Sequence, residues 1–482
     1  MSAFTVPLYV RGAVIEEDLV AMSGRHAGLT FDTPDVSLYL DELPLKTPSL
    51  LADLYEITLD EILDVLVEVG HALDFNKNRH TQQAFEASLE AAPYPESMLK
   101  SSYIGLPQAF ARERLEQMAE HGVGRAYLEG WVPSTYDDGR TVSVRAFGAR
   151  SLHIPAGNGG IISAVTIIRN ALTRSDAIIK APSNDPMTAV AIARTMSDVA
   201  PNHPLTRHLC VGYWKGGNAD IERALYRPEH IEKIIAWGGF ASVKHVTQYI
   251  QPGLELISLD PKRSATIIGP QAFDSESTMR EVAQRLACDI GSANQEGCAC
   301  ARVVYVLSGT DEESILKLNR LGELTFEYIQ SLPESISAEP HHYDHELRES
   351  LEGTRIDDTF FNVFGVRGNE GAVIVSQDNH EVDYSPLLSG RTANLVPVDD
   401  IEQVSRAVNA YTQTVGVYPE SLKAEIRDTL PLFGAQRLVS LGYACHVTAT
   451  GPQDAIEPMR RMCKWIVDEA CDPEKVFPMW TL

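Results

Sequence analysis

Apolar residues recur three and four positions apart through Pro48–Tyr55 and again through Leu59–Val69, and this spacing predicts amphipathic helices. Thr58 and Glu61, at the start of the second run, have the separation of a capping box. A helical front end over about residues 45–120 follows. From Tyr127 to Val144 two apolar or β-branched runs flank Asp137-Asp138-Gly139, a turn signal, and predict a hairpin or β-ribbon. Between residues 150 and 310 strand-like runs at 151–154, 177–180, 208–211, 234–237, 265–268 and 302–306 alternate with helical periodicity, as in Ile161–Leu172. That alternation predicts βαβ units and a largely parallel sheet. The polar stretch 335–360 reads as an inserted loop. A last α/β stretch over 370–450 contains a helix at Ile401–Ala410, and a C-terminal helix is expected over Asp454–Asp468.

A chain of 482 residues is long enough for two or three domains with substantial cores. A net charge of −25, with no stripe of Lys or Arg able to neutralise a run of phosphates, argues against a nucleic-acid partner. Any polyphosphate ligand must instead be held by helix N-termini, backbone N–H groups and local cations. No apolar run reaches the roughly 18 residues of a membrane span, and Met1–Tyr9 lacks a basic segment followed by an apolar one, so no integral membrane association is expected. The seven cysteines form an odd set without paired C-x-x-C spacing, which fits a reducing cytoplasm.

Three segments carry the chemistry. His153-Ile154-Pro155-Ala156-Gly157-Asn158-Gly159-Gly160 puts an asparagine among glycines between a strand and a helix. Ile178-Ile179-Lys180-Ala181-Pro182-Ser183 closes the next strand on a lysine. Asn294-Gln295-Glu296-Gly297-Cys298-Ala299-Cys300 precedes the strand that begins at Arg302. In this order and separation they resemble the aldehyde dehydrogenase superfamily. Trp237-Gly238-Gly239, the Gln-x-x-Cys of Gln295 to Cys298, and the tail Asp454–Trp465 resemble its fatty-acyl reductase (LuxC-like) branch.

The resemblance implies an α/β, aldehyde-dehydrogenase-like fold: a Rossmann-type cofactor domain, an α/β catalytic domain and a β-ribbon oligomerisation element. The expected divisions are a helical region at 1–125 packing on the cofactor domain, a dinucleotide-binding domain with its ribbon at 126–260, a catalytic cysteine domain at 261–435, and a return to the cofactor domain or oligomer interface at 436–482. It also implies a homodimer or homotetramer, an acyl-CoA or acyl-carrier substrate, and room for an acyl-activating partner enzyme.

A thiolate is the nucleophile that attacks a thioester carbonyl and leaves again after reduction. Cys298 and Cys300 both lie in a polar, Gly-containing segment, and chemistry alone does not separate them. The family's Gln-x-x-Cys spacing selects Cys298. The resemblance makes Asn158 an oxyanion donor together with the backbone N–H of Cys298. On its own, Asn158 reads as a turn residue. Lys180 resembles the family lysine that holds the adenosine ribose. Ser183 stands where NAD-preferring relatives often carry a glutamate, and a hydroxyl there donates to a 2′-phosphate, so NADPH is the expected cofactor. Trp237, Gly238 and Gly239 would bring backbone close to its pyrophosphate. His341, His342 and His345 have metal-ligand side chains, but in a polar loop without a second ligand pair they read as a solvated loop, and no metal is assigned.

Two departures bear on direction. The family glutamate that activates water falls, in Leu254–Ser264, on Leu259 in one register and on Glu255 in the other. The glutamate that holds the nicotinamide ribose is absent from Leu387-Leu388-Ser389-Gly390-Arg391. Aldehyde formation from a fatty acyl thioester is the expected reaction. The alternatives are an oxidising dehydrogenase making acid or acyl-CoA, and a non-catalytic cofactor-binding relative.

Overall fold

The helix Leu59–Ala72 starts where the Thr58 hydroxyl accepts a hydrogen bond from the Glu61 N–H at 3.1 Å, and it buries Leu59, Ile62, Leu63, Leu66 and Val69 on one face. The computed structural model describes residues 4–24, 29–137, 140–340, 343–365, 367–472, 474–476 and 479–481. Its chain divides into two units: Met1–Ala92 with Ser102–Asp260 and Ala449–Leu482, and Pro93–Ser101 with Pro261–Thr448.

The first unit is built on a seven-stranded sheet. In spatial order its strands are Glu255–Leu259, Lys233–Trp237, Arg150–Ile154, Asp176–Lys180, Leu209–Gly212, Leu8–Val10 and Ala13–Ile15. The first five are parallel, and the last two form an antiparallel hairpin on the edge. Neighbouring residues along a strand feed opposite cores. Ile179 and Val211 pack with the helices Gly160–Leu172 and Thr188–Val199 and with the N-terminal helices. Ile178 and Cys210 pack on the other face with Ile221, Leu225, Val243 and Val246. Burial on both faces explains why these strands read as continuous apolar runs.

The expected hairpin is present as Val132–Thr135 and Thr141–Phe147, with 138–139 of its tip outside the described residues. It gains a third strand. Where a C-terminal helix was expected over Asp454–Asp468, only Pro458–Met462 is helical, and Lys464–Ala470 is a strand paired antiparallel with Thr141–Phe147. Trp465, Ile466 and Val467 are aromatic or β-branched, and a waiting edge strand overrides the helical spacing. The first 34 residues likewise hold strands, Leu8–Val10, Ala13–Ile15, Leu19–Ser23 and Thr30–Pro34, ahead of the helices.

The second unit carries another seven-stranded sheet, ordered Phe361–Gly365, Ala372–Ser376, Thr392–Pro397, Ala301–Val306, Arg263–Ile268, Thr412–Tyr418 and Arg437–Ser440. All neighbours run parallel except the first pair. Helices Glu276–Gly291 and Glu312–Gln330 cover one face through Val282, Leu286, Leu318 and Leu321. The polar stretch expected as a loop contains the helix His345–Ile356, capped by Asp344 and anchored by buried Leu347 and Leu351. Two buried leucines one turn apart suffice to seat it.

Candidate active site

In the first unit, numbering the parallel strands by chain order gives the spatial order 5-4-1-2-3, so the connection reverses direction between Arg150–Ile154 and Lys233–Trp237. Open parallel sheets bind ligands at the carboxyl ends of the two strands flanking such a reversal. Asn158 lies half-buried in the turn that leaves the first of these strands, and Trp237-Gly238-Gly239 ends the second. Ile154 and Ala236 are paired in register, so the two turns leave the same edge.

Gly239 precedes the helix Phe240–Thr247, which has no side-chain cap, and a Cβ on Gly239 would meet nothing within 4 Å. Open space over uncapped N–H groups suits an anionic group. Lys180 ends the adjacent strand. Burial pushes its ammonium down to about 8, with Glu222 opposing, and Nζ lies 6.0 and 5.8 Å from the ring centres of Tyr213 and Trp214. The loop bearing Ser183 packs on the Asn158 turn: a Cβ on Gly157 would come within 1.9 Å of Asn184 Oδ1 and 2.9 Å of Pro182 Cβ. Glycine is required there by contact with the loop after Lys180. Four sequence-predicted elements, at Asn158, Lys180, Ser183 and Trp237-Gly238-Gly239, therefore share one sheet edge.

In the second unit Cys298 sits in the turn before the central strand Ala301–Val306. Its backbone is held by Ser264, whose hydroxyl donates to the Cys298 carbonyl at 2.6 Å and accepts from the Thr414 N–H at 3.1 Å. Upstream, Ala293, Asn294 and Gln295 all have left-handed backbone, φ 50°, 50° and 65°. Such residues cost about 1–3 kcal/mol each unless surrounding structure fixes them, and they gather at functional sites.

Here the fixing is visible. Asn294 Oδ1 accepts from the Ala338 N–H at 3.0 Å and from the Ser337 hydroxyl at 3.3 Å. The buried Gln295 amide donates to the Ala301 and Thr392 carbonyls at 2.7 and 2.8 Å and accepts from the Thr392 N–H at 2.8 Å. Arg302 donates to the carbonyls of Cys300 and Gln295, both at 3.1 Å, and to that of Leu388 at 3.0 Å.

The two candidate thiols differ in surroundings. Cys298 is half-buried. Cys300 is fully buried, its Sγ donates to the Ser292 carbonyl at 3.3 Å, and its contact with Cys445, together with burial, pushes it well above the usual thiol range. A thiol kept protonated inside the protein is a poor nucleophile. Arg437 supplies a cation that acts electrostatically on Cys298, Cys445 and Asp289.

The two departures take physical form. Leu259 is fully buried. Glu255 is engaged by Lys233 and by Arg461 at 2.8 Å, and these cations hold its carboxyl below the usual range although burial pulls the other way. Neither register leaves an uncommitted carboxylate. At the position of the missing ribose glutamate, Leu387 is half-buried and packs in an apolar cluster with Leu388, and Arg391 donates inward to the Ile329 carbonyl at 2.7 Å.

A sequence profile described as acyl-CoA reductase (LuxC) matches residues 54–465. The chain belongs to the LuxC family of acyl-CoA reductases. A long-chain acyl-protein thioester reductase of Vibrio harveyi is 28% identical over 96% of this LuxC-family chain and 93% of its own. One from Photorhabdus laumondii is 29% identical over 90% and 88%. Among solved structures, the NADP-dependent glyceraldehyde-3-phosphate dehydrogenase of Bacillus halodurans, complexed with NADP, superimposes with TM-score 0.69 at 12% identity, over 97% of this chain and 99% of its own. Aldehyde dehydrogenase 21 of Physcomitrella patens gives 0.71 at 11% identity over 98% and 99%. The LuxC-family chain thus has the aldehyde dehydrogenase fold.

Several residues that build this LuxC-family site were not readable beforehand. Gln295 drew notice only for its spacing to Cys298. Ser264 and Asp289 act on backbone atoms far away in sequence, Arg302 reaches Leu388 as well as its own segment, Arg437 binds backbone within its own segment, and no local pattern marks any of them. His341 and His342 lie outside the described residues. Among the described residues there is no group of three His, Cys, Asp or Glu placed to hold a metal, and no helix long and apolar enough to cross a membrane.

Proposed function

We infer that this protein reduces a fatty acyl thioester, carried on CoA or on a protein, to an aldehyde, with Cys298 as nucleophile and NADPH as reductant. One observation carries the residue assignment: of the two neighbouring thiols, Cys298 sits in a turn whose strained backbone is fixed from several sides, while Cys300 is buried and committed to other partners.

The Cys298 thiolate attacks the thioester carbonyl, and the donor thiol leaves. Arg437 is the cation that interacts electrostatically with Cys298 in this arrangement. The amide of Asn158 is the proposed donor to the acyl oxyanion. Lys180, Ser183 and the uncapped helix start behind Trp237-Gly238-Gly239 would hold the cofactor, with open space beside Gly239 for its phosphates. When bound, NADPH supplies the hydride that reduces the acyl group. The thiohemiacetal on Cys298 then collapses to free aldehyde and regenerates the thiolate. The absence of an uncommitted carboxylate at both Leu259 and Glu255 supports reduction over hydrolysis, since nothing at either position activates water.

The test follows NADPH oxidation by absorbance across a short-to-long acyl-CoA series, with the aldehyde trapped and identified. Cys298→Ser is expected to abolish acyl transfer, and Cys300→Ser to retain it; the reverse result moves the nucleophile to Cys300. Ser183→Glu is expected to raise KM for NADPH about tenfold or more while sparing NADH, because a carboxylate repels the 2′-phosphate. Abundant acid from aldehyde and NADP⁺ would favour the oxidising direction instead.

A further inference from the structure

Cys300 and Cys445 are 145 positions apart in sequence, yet their sulfurs stand 3.3 Å apart within the second unit. We propose that this pair is a redox switch: peroxide joins the two thiols in a reversible disulfide that turns the reductase off. The bond itself follows from the geometry, while its effect on turnover rests on the assignment of Cys298.

Both sulfurs are held from behind. The segment bearing Cys445 is hung on Asp289, whose carboxylate accepts from the Gly442 and Ala444 N–H groups, each at 2.8 Å. Arg437 clamps it from the other side, donating to the Ala444 carbonyl at 2.7 Å and to that of His446 at 3.0 Å. On the opposite segment the Cys300 N–H donates to the Gly297 carbonyl at 3.1 Å, and Arg302 donates to the Cys300 carbonyl.

The two thiols are also differentiated. Cys445 is exposed and Cys300 is fully buried, so an oxidant reaches Cys445 first. The sulfur–sulfur contact with Cys300 favours the Cys445 thiolate, with Arg437 assisting and desolvation and Asp289 opposing, whereas the same contact and burial keep Cys300 protonated. This is the division of labour between an attacking thiolate and a resolving thiol.

The chemistry balances. The Cys445 thiolate sulfur attacks one peroxide oxygen, the O–O bond breaks, and an alcohol or water departs with the displaced oxygen, leaving a sulfenic acid. The Cys300 sulfur then attacks the Cys445 sulfur and gives up its proton, and the sulfenic oxygen leaves as water. Two thiols are oxidised by two electrons, and one peroxide is reduced. A dithiol reverses the bond by exchange.

Closing the sulfurs from 3.3 Å to a bond of about 2.05 Å pulls the two segments together by roughly 1 Å. Cys300 is two residues from Cys298, and its carbonyl and that of Cys298 are both held in place. A displacement of about 1 Å at a reacting group costs on the order of 100-fold in rate.

The experiment treats the whole protein with hydrogen peroxide, quenches the excess, alkylates with iodoacetamide, and maps the non-reduced peptides by mass spectrometry beside the acyl-CoA reductase rate. The expected result is a linked Cys300–Cys445 peptide pair and a rate lowered at least tenfold, both reversed by dithiothreitol. Cys445→Ser is expected to keep its unoxidised rate within twofold, to form no link, and to lose the dithiothreitol-reversible part of the inhibition. Absence of the linked pair overturns the proposal, as does a linked pair with an unchanged rate. Equal, irreversible inactivation of wild type and Cys445→Ser overturns it too, because Cys298 itself would then be the oxidised group. If the untreated protein reduces no acyl-CoA, the functional reading falls while the peptide map still decides the bond.

Discussion

A single imidazole sets part of the acid response. His153 is buried between the Ser151 hydroxyl at 3.1 Å and Asn170 Oδ1 at 3.4 Å. Burial pushes its pKa from 6.5 down to about 4, with Asn170 partly opposing. Below 6.5 the unfolded chain takes up a proton that the folded chain refuses, so this contribution is intact above 6.5 and is lost as pH falls toward 4, amounting to about 2 kcal/mol at pH 5. Asp185 and Asp289, raised by burial to about 6, act in the opposite sense, gaining stability as pH falls through 6. Comparing urea midpoints of wild type and His153→Gln at pH 7.5 and 5.0 isolates the histidine. The variant is expected to lose less stability on acidification, and an identical pH dependence would contradict the assignment. At this scale the sequence reading placed Cys298, Asn158 and Lys180 beside strand ends, and each stands beside one. It did not separate Cys298 from Cys300 by chemistry, since the difference between them, burial of Cys300 against Ser292 and Cys445, depends on the fold and, for Cys445, on a partner 145 positions away.

Among the elements, the strands were legible wherever apolar runs are buried on both faces, as in Asp176–Lys180 and Ala301–Val306. The tail was misread because Pro458–Met462 and Lys464–Ala470 together mimic helical spacing, and only the partner strand Thr141–Phe147 decides between them. The helix His345–Ile356 was hidden by its polarity, since a helix seated on two leucines shows little periodicity. Gln295 joins elements that sequence cannot bring together, tying the Cys298 turn to Ala301 and Thr392 on adjacent strands. Gln295→Ala leaves three backbone groups short of a partner, an expected loss of about 2–4 kcal/mol. It should also release the left-handed turn, so chemical denaturation and acyl-CoA reductase assays are both expected to fall, activity more steeply. Wild-type kcat in the variant would show that the turn holds without it.

For the whole molecule, a net charge of −25 opposes the approach of any polyanionic substrate. Raising ionic strength from about 10 to about 150 mM shortens the screening length from roughly 30 to 8 Å. Stopped-flow and steady-state measurements are expected to show kcat/KM for NADPH and acyl-CoA rising several-fold with salt while kcat changes little; a fall would mean that local cations such as Lys180 dominate the field. The α/β class was legible from alternation alone, but the strand order 5-4-1-2-3 was not, because each crossover is silent about which side it takes. The pairing of Lys464 with Phe147 has a temporal meaning as well. During synthesis at about 5–20 residues per second, roughly 300 residues must emerge after Thr141–Phe147 before its closing strand exists. For that interval of some tens of seconds the ribbon presents an unpaired edge, open to pairing with the wrong strand.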